Sequence, residues 1–67
     1  MTENLVVYVE SKDVQEFENV IGEVFDWNDY VEYEDQKVYW FEENNVDALE
    51  MAITAELPLM ELQFEVE

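Results

Sequence analysis

The chain has no cysteine, no histidine and no arginine, and its only basic residues are Lys12 and Lys37. Without cysteine there is no disulfide to stabilise the fold, and the redox compartment is left open. Without histidine or cysteine, zinc ligation of the usual kind is excluded. No apolar stretch approaches the ~20 residues of a membrane-spanning helix, and the N-terminal segment lacks the basic region of a signal peptide. We therefore expect a cytoplasmic protein without membrane contact.

Glycine and proline occur once each, so there is little linker chemistry, and the length predicts one domain over residues 1–67. Hydrophobic residues make up 49% of the chain and aromatic residues 15%. Acidic disordered segments are poor in both, so the composition predicts a folded domain. A core this small is marginal and often needs a partner. Both a monomer and a homodimer are compatible with it.

Negative charge is what the chain has in excess. Nineteen acidic residues give a formal net charge of -17, and they are spread from Glu3 to Glu67. Small soluble domains are comfortable at a net charge of magnitude roughly 2–8. A chain this acidic repels nucleic acid and anionic lipid and attracts proteins with basic patches, most of which hold nucleic acid. We expect a basic DNA-binding protein as partner, and no direct binding of nucleic acid.

The charge is also comparable to that of DNA for a body of this size. B-DNA carries one charge per ~1.7 Å of its axis, so a charge of 17 corresponds to ~29 Å of duplex. A compact chain of this length has a radius of gyration of ~11 Å, which implies a diameter of about 28 Å. The folded chain is therefore expected to carry about the charge per length of DNA.

The first part of the chain predicts a strand and then a helix. Residues 5–9 form a short β-branched run that is typical of a buried strand. Apolar residues then recur at three- and four-residue spacing over residues 14–25, which predicts one buried helical face. Ser11 is expected to cap this helix. Gly22 weakens it by about 1 kcal/mol relative to alanine, which indicates close packing or an early end.

The middle of the chain predicts a β-hairpin. Residues 30–34 and 37–42 are strand-like, and residues 34–37 are the expected turn between them. Tyr39 and Trp40 must point to opposite faces of their strand. We expect Trp40 in the core, and a tyrosine beside carboxylates on the exposed face as an interface anchor.

The last part predicts a helix and a final strand. Asn44 and Asn45 offer N-caps for a helix over residues 46–55, which Pro58 ends. Residues 60–66 alternate between one apolar and one largely acidic face. The whole order predicts an α+β fold. It is the ferredoxin-like βαββαβ two-layer sandwich, with two helices on one face of a four-stranded antiparallel sheet.

Nothing in the composition favours catalysis. Nineteen acids guarantee many chance carboxylate pairs, and no activated nucleophile or anion-stabilising clamp accompanies them. The densest acidic window lacks the central glycine and the ligand spacing of an EF-hand. We expect no enzyme activity, no cofactor and no dedicated metal site.

Partner binding is expected at the acidic hairpin window, which we define as Asp26, Asp29, Glu32, Glu34 and Asp35. On a strand over residues 30–34, Glu32 and Glu34 would project from one face roughly 6.6 Å apart, as phosphates in a row do. The alternative is a solvated edge strand that its charges protect from pairing. A second set of candidate carboxylates consists of Glu16, Glu23, Glu42 and Glu43.

In size, net charge and the acidic window over residues 26–35, the chain resembles the small acidic DNA-mimic inhibitors encoded by bacteriophages. It is most similar to Bacillus-phage host-takeover proteins that target the histone-like nucleoid protein HU. The resemblance implies an inhibitor that occupies the DNA site of a host protein. Members of this class share charge rather than sequence, so the resemblance assigns no individual residue.

Two other functions fit a small acidic chain. An antitoxin or immunity protein would neutralise a basic nuclease, and it differs from a DNA mimic in having one dedicated partner. A halophile protein would use its acids for solvation, but the abundant large aromatic and aliphatic residues make this the weaker alternative.

Overall fold

The computed structural model describes residues 1–67, and it contains four strands and two helices in the predicted order. A short 3-10 turn, Ser11–Asp13, leads into the first helix. Neither helix has the length or the apolar character needed to cross a bilayer. The elements are β1 (Glu3–Glu10), α1 (Val14–Ile21), β2 (Asp29–Glu32), β3 (Gln36–Glu43), α2 (Val46–Glu56) and β4 (Leu62–Val66).

The four strands form one sheet in the order β2-β3-β1-β4, and every neighbouring pair is antiparallel. The segment containing α1 passes over β3 to reach β2, and the segment containing α2 passes over β1 to reach β4. Both helices pack on the same face of the sheet, which we call the covered face; the other is the open face. This is the predicted ferredoxin-like α+β arrangement, and the prediction is confirmed.

The core lies between the covered face and the two helices. Alternate residues of β1 point into it, and Tyr39 is its largest fully buried side chain. The Tyr39 ring lies 4.8 Å from the ring of Phe17 and 5.0 Å from that of Trp27, so aromatic packing joins α1 to the middle of the sheet. The buried cluster is completed by Leu5, Val7, Val9, Ile21, Phe41, Val46, Leu49, Ile53 and Leu57.

The first helix differs from the prediction at both ends. Ser11 does not cap it, because its hydroxyl donates to the Glu34 carbonyl at 3.0 Å and so ties the 3-10 turn to the β2–β3 hairpin. The helix ends at Ile21, with Gly22 in the C-cap position. Val24 therefore leaves the buried face and is 56% exposed. The periodic pattern over residues 14–25 continues past the point where the helix stops.

The hairpin is confirmed, but β2 begins and ends earlier than predicted, and β3 is one residue longer at each end. β2 ends at Glu32, and Tyr33 closes the turn by donating its backbone N–H to the Gln36 carbonyl at 2.8 Å. The turn therefore falls at residues 33–35 rather than 34–37. In α2 the cap is confirmed for Asn45, whose side chain accepts from the Ala48 N–H at 3.1 Å.

Candidate partner-binding surface

The carboxylates of this fold lie on its surface, and all but two of them lack a positive partner. None of the nineteen acidic side chains is buried. Two salt bridges are present, one for each lysine, and that of Lys12 with Glu10 is exposed and 3.9 Å long. No three carboxylates converge in a way that would hold a metal ion. Almost all of the formal negative charge is therefore presented to solvent without internal compensation.

The second lysine is used inside the fold. Lys37 is 9% exposed on the covered face, and its Nζ lies 2.5 Å from Oε2 of Glu18 on α1. The Tyr39 hydroxyl donates to the same oxygen at 2.7 Å, and the Lys37 Nζ sits 4.2 Å from the centre of the Tyr30 ring. Lys37 thus joins α1 to β2 and β3 and is not available to neutralise the outer surface.

This cluster shifts the pKa values of two of its members. Partial burial of Glu18 acts to raise its pKa, but the hydrogen bonds from Lys37 and Tyr39, together with the lysine charge, outweigh it and hold the pKa below the ordinary value. Burial, and then the hydrogen bond to Glu18, raises the pKa of Tyr39 far above its ordinary value. The carboxylate therefore stays charged and the phenol neutral across the physiological range.

The acidic hairpin window does not form the single line of charge that the sequence predicted. Asp29 pairs with Trp40 on the open face, whereas Glu32 pairs with Lys37 on the covered face. Glu34 and Asp35 lie in the turn beyond the end of β2, and Asp26 lies in the loop before it. The prediction that Glu32 and Glu34 share one strand face is therefore wrong, because the strand is two residues too short. All five side chains are exposed.

The second set of candidate carboxylates is also divided. Glu16 is exposed on α1, and Glu23 follows the end of that helix. Glu42 lies on the open face of β3, where its backbone N–H donates to the Asn28 side chain at 2.7 Å. Glu43 is half-buried on the covered side and accepts from the Asn44 N–H at 3.0 Å. Of the nine predicted residues, only Asp29 and Glu42 come together on the open face of the sheet.

The strand register places further residues beside these two. The row that begins with Asp29 and Trp40 continues through Val6 to Glu65 of β4. The next open-face row contains Val31, Val38, Tyr8 and Gln63. Backbone hydrogen bonds of 3.0 Å and 2.8 Å pair Asn4 with Glu67, which extends the face at its end. We define the open-face patch as Tyr8, Trp40, Asp29, Glu42, Glu65 and Glu67.

Two aromatic side chains lie at the middle of this patch. Trp40 is half-buried on the open face rather than in the core, so that prediction is wrong. Val6 and Val38 are 1% and 3% exposed although no helix covers them, because the larger Tyr8 and Trp40 flank them on the same face. The aromatic pair thus shields the central strands and presents a partly exposed apolar strip.

One carboxylate near the end of β4 binds the polar end of the Trp40 ring, and another lies diagonally across from Tyr8 in the strand register. The Trp40 Nε1–H donates to Glu67 Oε1 at 3.3 Å. Partial burial, and then the neighbouring charge and hydrogen bond of Glu65, raise the pKa of Tyr8. Across the sheet, three strand spacings separate Asp29 from Glu65, which is about 14 Å. The patch therefore has an aromatic centre between carboxylates on both sheet edges.

Glu65, Glu67 and Tyr8 were not among the predicted site residues. The alternation over residues 60–66 did place the β4 carboxylates on one shared face, away from the apolar side chains. What it could not show is that β4 lies next to β1, which brings Glu65 beside Tyr8.

Comparison with protein-family models, with curated proteins and with solved structures gives no match for this chain. Function therefore has to be inferred from the surface itself.

Proposed function

We propose that this protein is a DNA-mimic inhibitor. It binds the DNA-binding surface of a basic host protein in the cytoplasm and competes with DNA for that surface. The nucleoid protein HU is the first candidate target, from the resemblance to phage host-takeover inhibitors. In this role the protein performs no chemical step, needs no cofactor and does not itself bind nucleic acid.

The observation that carries the proposal is the density of uncompensated charge on a compact fold. The fold measures 33 × 23 × 19 Å and has a formal net charge of -17. Over a length of 33 Å, B-DNA carries about 19 charges at one per ~1.7 Å. The net charge of the folded protein thus equals that of a duplex of the same length to within about a tenth.

Competition follows from the way in which DNA-binding surfaces attract phosphate. Their lysines and arginines create a positive field that acts on any dense negative charge of suitable shape. Carboxylates on a folded domain are drawn into the same groove and exclude the duplex from it. DNA binding also releases condensed counterions and weakens steeply with salt. A folded protein condenses fewer counterions, so its complex is expected to weaken less.

The experiment that tests this proposal adds the protein to a preformed HU–DNA complex in a gel shift. We expect free DNA to appear as HU sites are filled, without a new slower band. Polyglutamate at an equal concentration of charges is the control. A ternary complex, or release only where polyglutamate releases DNA equally well, would contradict specific mimicry.

The aromatic centre of the open face favours a second candidate, an immunity protein or antitoxin that neutralises a basic nuclease. Interfaces with one dedicated partner use aromatic side chains as anchors, and Tyr8 and Trp40 are side chains of this kind. Affinity capture from a bacterial lysate, with and without nuclease treatment, separates the two candidates. A DNA mimic should retain a general DNA-binding protein, and added DNA should compete. An immunity protein should retain one nuclease, even in high salt.

A further inference from the structure

We infer that the open-face patch is the surface that holds the basic partner, and that it does so by taking up arginine side chains between its aromatic rings and its carboxylates. This inference rests on the proposed function and specifies which face carries it and which cation it prefers. It differs from the sequence prediction, which placed binding at the hairpin window.

The first support is that this face of the sheet has no partner within the chain. Both helices pack on the covered face. Val31 of the open face is 39% exposed, and Tyr8 and Trp40 are only half-buried. An apolar strip between carboxylates is the composition of an interface with a hydrophobic centre and a charged rim.

The second support is the charge of the face, which decides the kind of occupant. None of the four carboxylates of the patch takes part in a salt bridge, since both lysines are paired elsewhere. A second copy of the chain placed on this face would oppose its carboxylates to identical ones, which is repulsive. A partner surface with exposed cations would be attracted both by the aromatic rings and by the carboxylates of the patch.

The third support is a cation that the chain already holds in this way. On the covered face, Lys37 lies against the Glu18 carboxylate and 4.2 Å from the centre of the Tyr30 ring. The open-face patch also places a carboxylate next to an aromatic ring, but it has no cation between them. Trp40 lies beside Glu67 at 3.3 Å, and Tyr8 lies diagonally across from Glu65 in the register of β1 and β4. The patch therefore has two places for an incoming cation.

Arginine suits these places better than lysine. Its planar guanidinium can stack on a ring while its N–H groups donate to a neighbouring carboxylate, and it is more weakly hydrated than an ammonium group. A cation over an indole or a phenol gains further attraction from the ring. Phosphates in DNA offer arginine a charge but no such ring, so the patch adds a contact that the duplex backbone lacks.

The test uses Trp40 as its own reporter. The substitution Trp27→Phe leaves Trp40 as the only indole, on the open face. This variant is titrated with an arginine homopeptide and with a lysine homopeptide of equal length, and the fluorescence is followed. We expect a saturable change in Trp40 emission, with the arginine peptide bound about fivefold more tightly.

A matched pair of charge variants localises the binding. Glu65→Gln with Glu67→Gln removes two charges from the patch, while glutamine keeps an oxygen that can accept from the Trp40 N–H. Asp47→Asn with Glu56→Gln removes two exposed charges from α2. The first pair should weaken peptide binding at least fivefold more than the second, since close charge pairs at interfaces couple strongly.

Several results would overturn the inference: no binding of the arginine peptide, binding without a change in Trp40 emission, equal affinity for both peptides, or equal weakening by both variant pairs. Both pairs are also added to the HU–DNA complex. If the parent protein and both pairs release DNA equally well, the proposed function stands and the open-face patch is not its surface. If the parent protein releases no DNA from HU while the peptide results hold, HU competition fails and the arginine patch stands.

Discussion

Replacing Glu18 by glutamine is expected to destabilise the fold, although the substitution reduces a large excess of negative charge. Glutamine keeps the length of the side chain and one oxygen acceptor, so the change removes mainly the carboxylate charge. Oε2 of the Glu18 carboxylate lies 2.5 Å from the Lys37 ammonium and accepts a hydrogen bond from the Tyr39 hydroxyl at 2.7 Å. The lysine is 9% exposed, so water replaces little of the lost interaction.

The size of the loss follows from these two contacts. A hydrogen bond to a charged group contributes about 1 kcal/mol more than one to a neutral acceptor, so two such bonds give about 2 kcal/mol. Breaking a fully buried ion pair costs about 3–5 kcal/mol, and the 31% exposure of the Glu18 side chain places this pair below that range. A domain of this length has roughly 3–10 kcal/mol of stability in all, so the loss is a large share of it.

Urea unfolding measures the effect, with Glu16→Gln as the matched control. With a slope of about 1 kcal/mol per molar urea, the Glu18→Gln midpoint should fall by about 2 M. Glu16 is exposed in the first turn of the same helix. Its replacement relieves repulsion but also removes a favourable interaction with the helix dipole, so it should change stability by less than about 0.5 kcal/mol. Equal midpoints for the two variants would refute the assigned role of the Lys37–Glu18–Tyr39 cluster.

The remaining predictions concern pH, salt and the hairpin. The fold lowers the pKa of Glu18. Its carboxylate therefore contributes fully to the free energy of unfolding when the pH is above the ordinary pKa of 4.5, and that contribution is lost as the pH falls through the lowered pKa. The stability difference between the parent protein and Glu18→Gln should therefore shrink in acid; a constant difference would contradict this. The raised pKa of Tyr39 means that stability falls as pH rises above 10.0, where the unfolded chain ionises first. Ultraviolet absorbance should show one tyrosine that ionises only on unfolding, and its ionisation in the folded state would contradict this. Thermal midpoints should rise between about 20 mM and about 500 mM salt, because screening weakens repulsion; a falling midpoint would exclude repulsion as the main electrostatic effect. Replacing Asp29 by asparagine should lower partner affinity without unfolding, whereas replacing Glu32 and Glu34 by glutamine should change it little, because only Asp29 lies on the open face; an equal loss of affinity in both variants would return the hairpin window to the interface.

The fold could be predicted because its determinants are local in the sequence. The β-branched run over residues 5–9, the Asn45 cap and the alternation over residues 60–66 each specify an element. Only Gly22 indicated the early end of α1, because Val24 continues the helical spacing after the chain has left the helix. Ser11 likewise has the chemistry of a cap but bonds to a turn more than twenty residues away.

The surface was predicted less well, since strand neighbours are distant in the sequence. Alternation shows that Tyr39 and Trp40 face opposite ways, but only pairing with β1 decides which of them meets the helices. The acidic density over residues 26–35 is real, yet the sheet divides it between two faces and a turn. Carboxylates near the C-terminus reach the patch because β4 lies beside β1.

The measurement that tests the central claim most directly is a competition titration. Labelled duplex is bound to HU at several duplex concentrations, and its fluorescence anisotropy is followed as the acidic protein is added. If protein and DNA occupy the same surface, the concentration of protein that gives half-release should rise in proportion to free duplex. A half-release concentration that does not change with duplex, or a residual anisotropy that stays high at saturation, would contradict DNA mimicry.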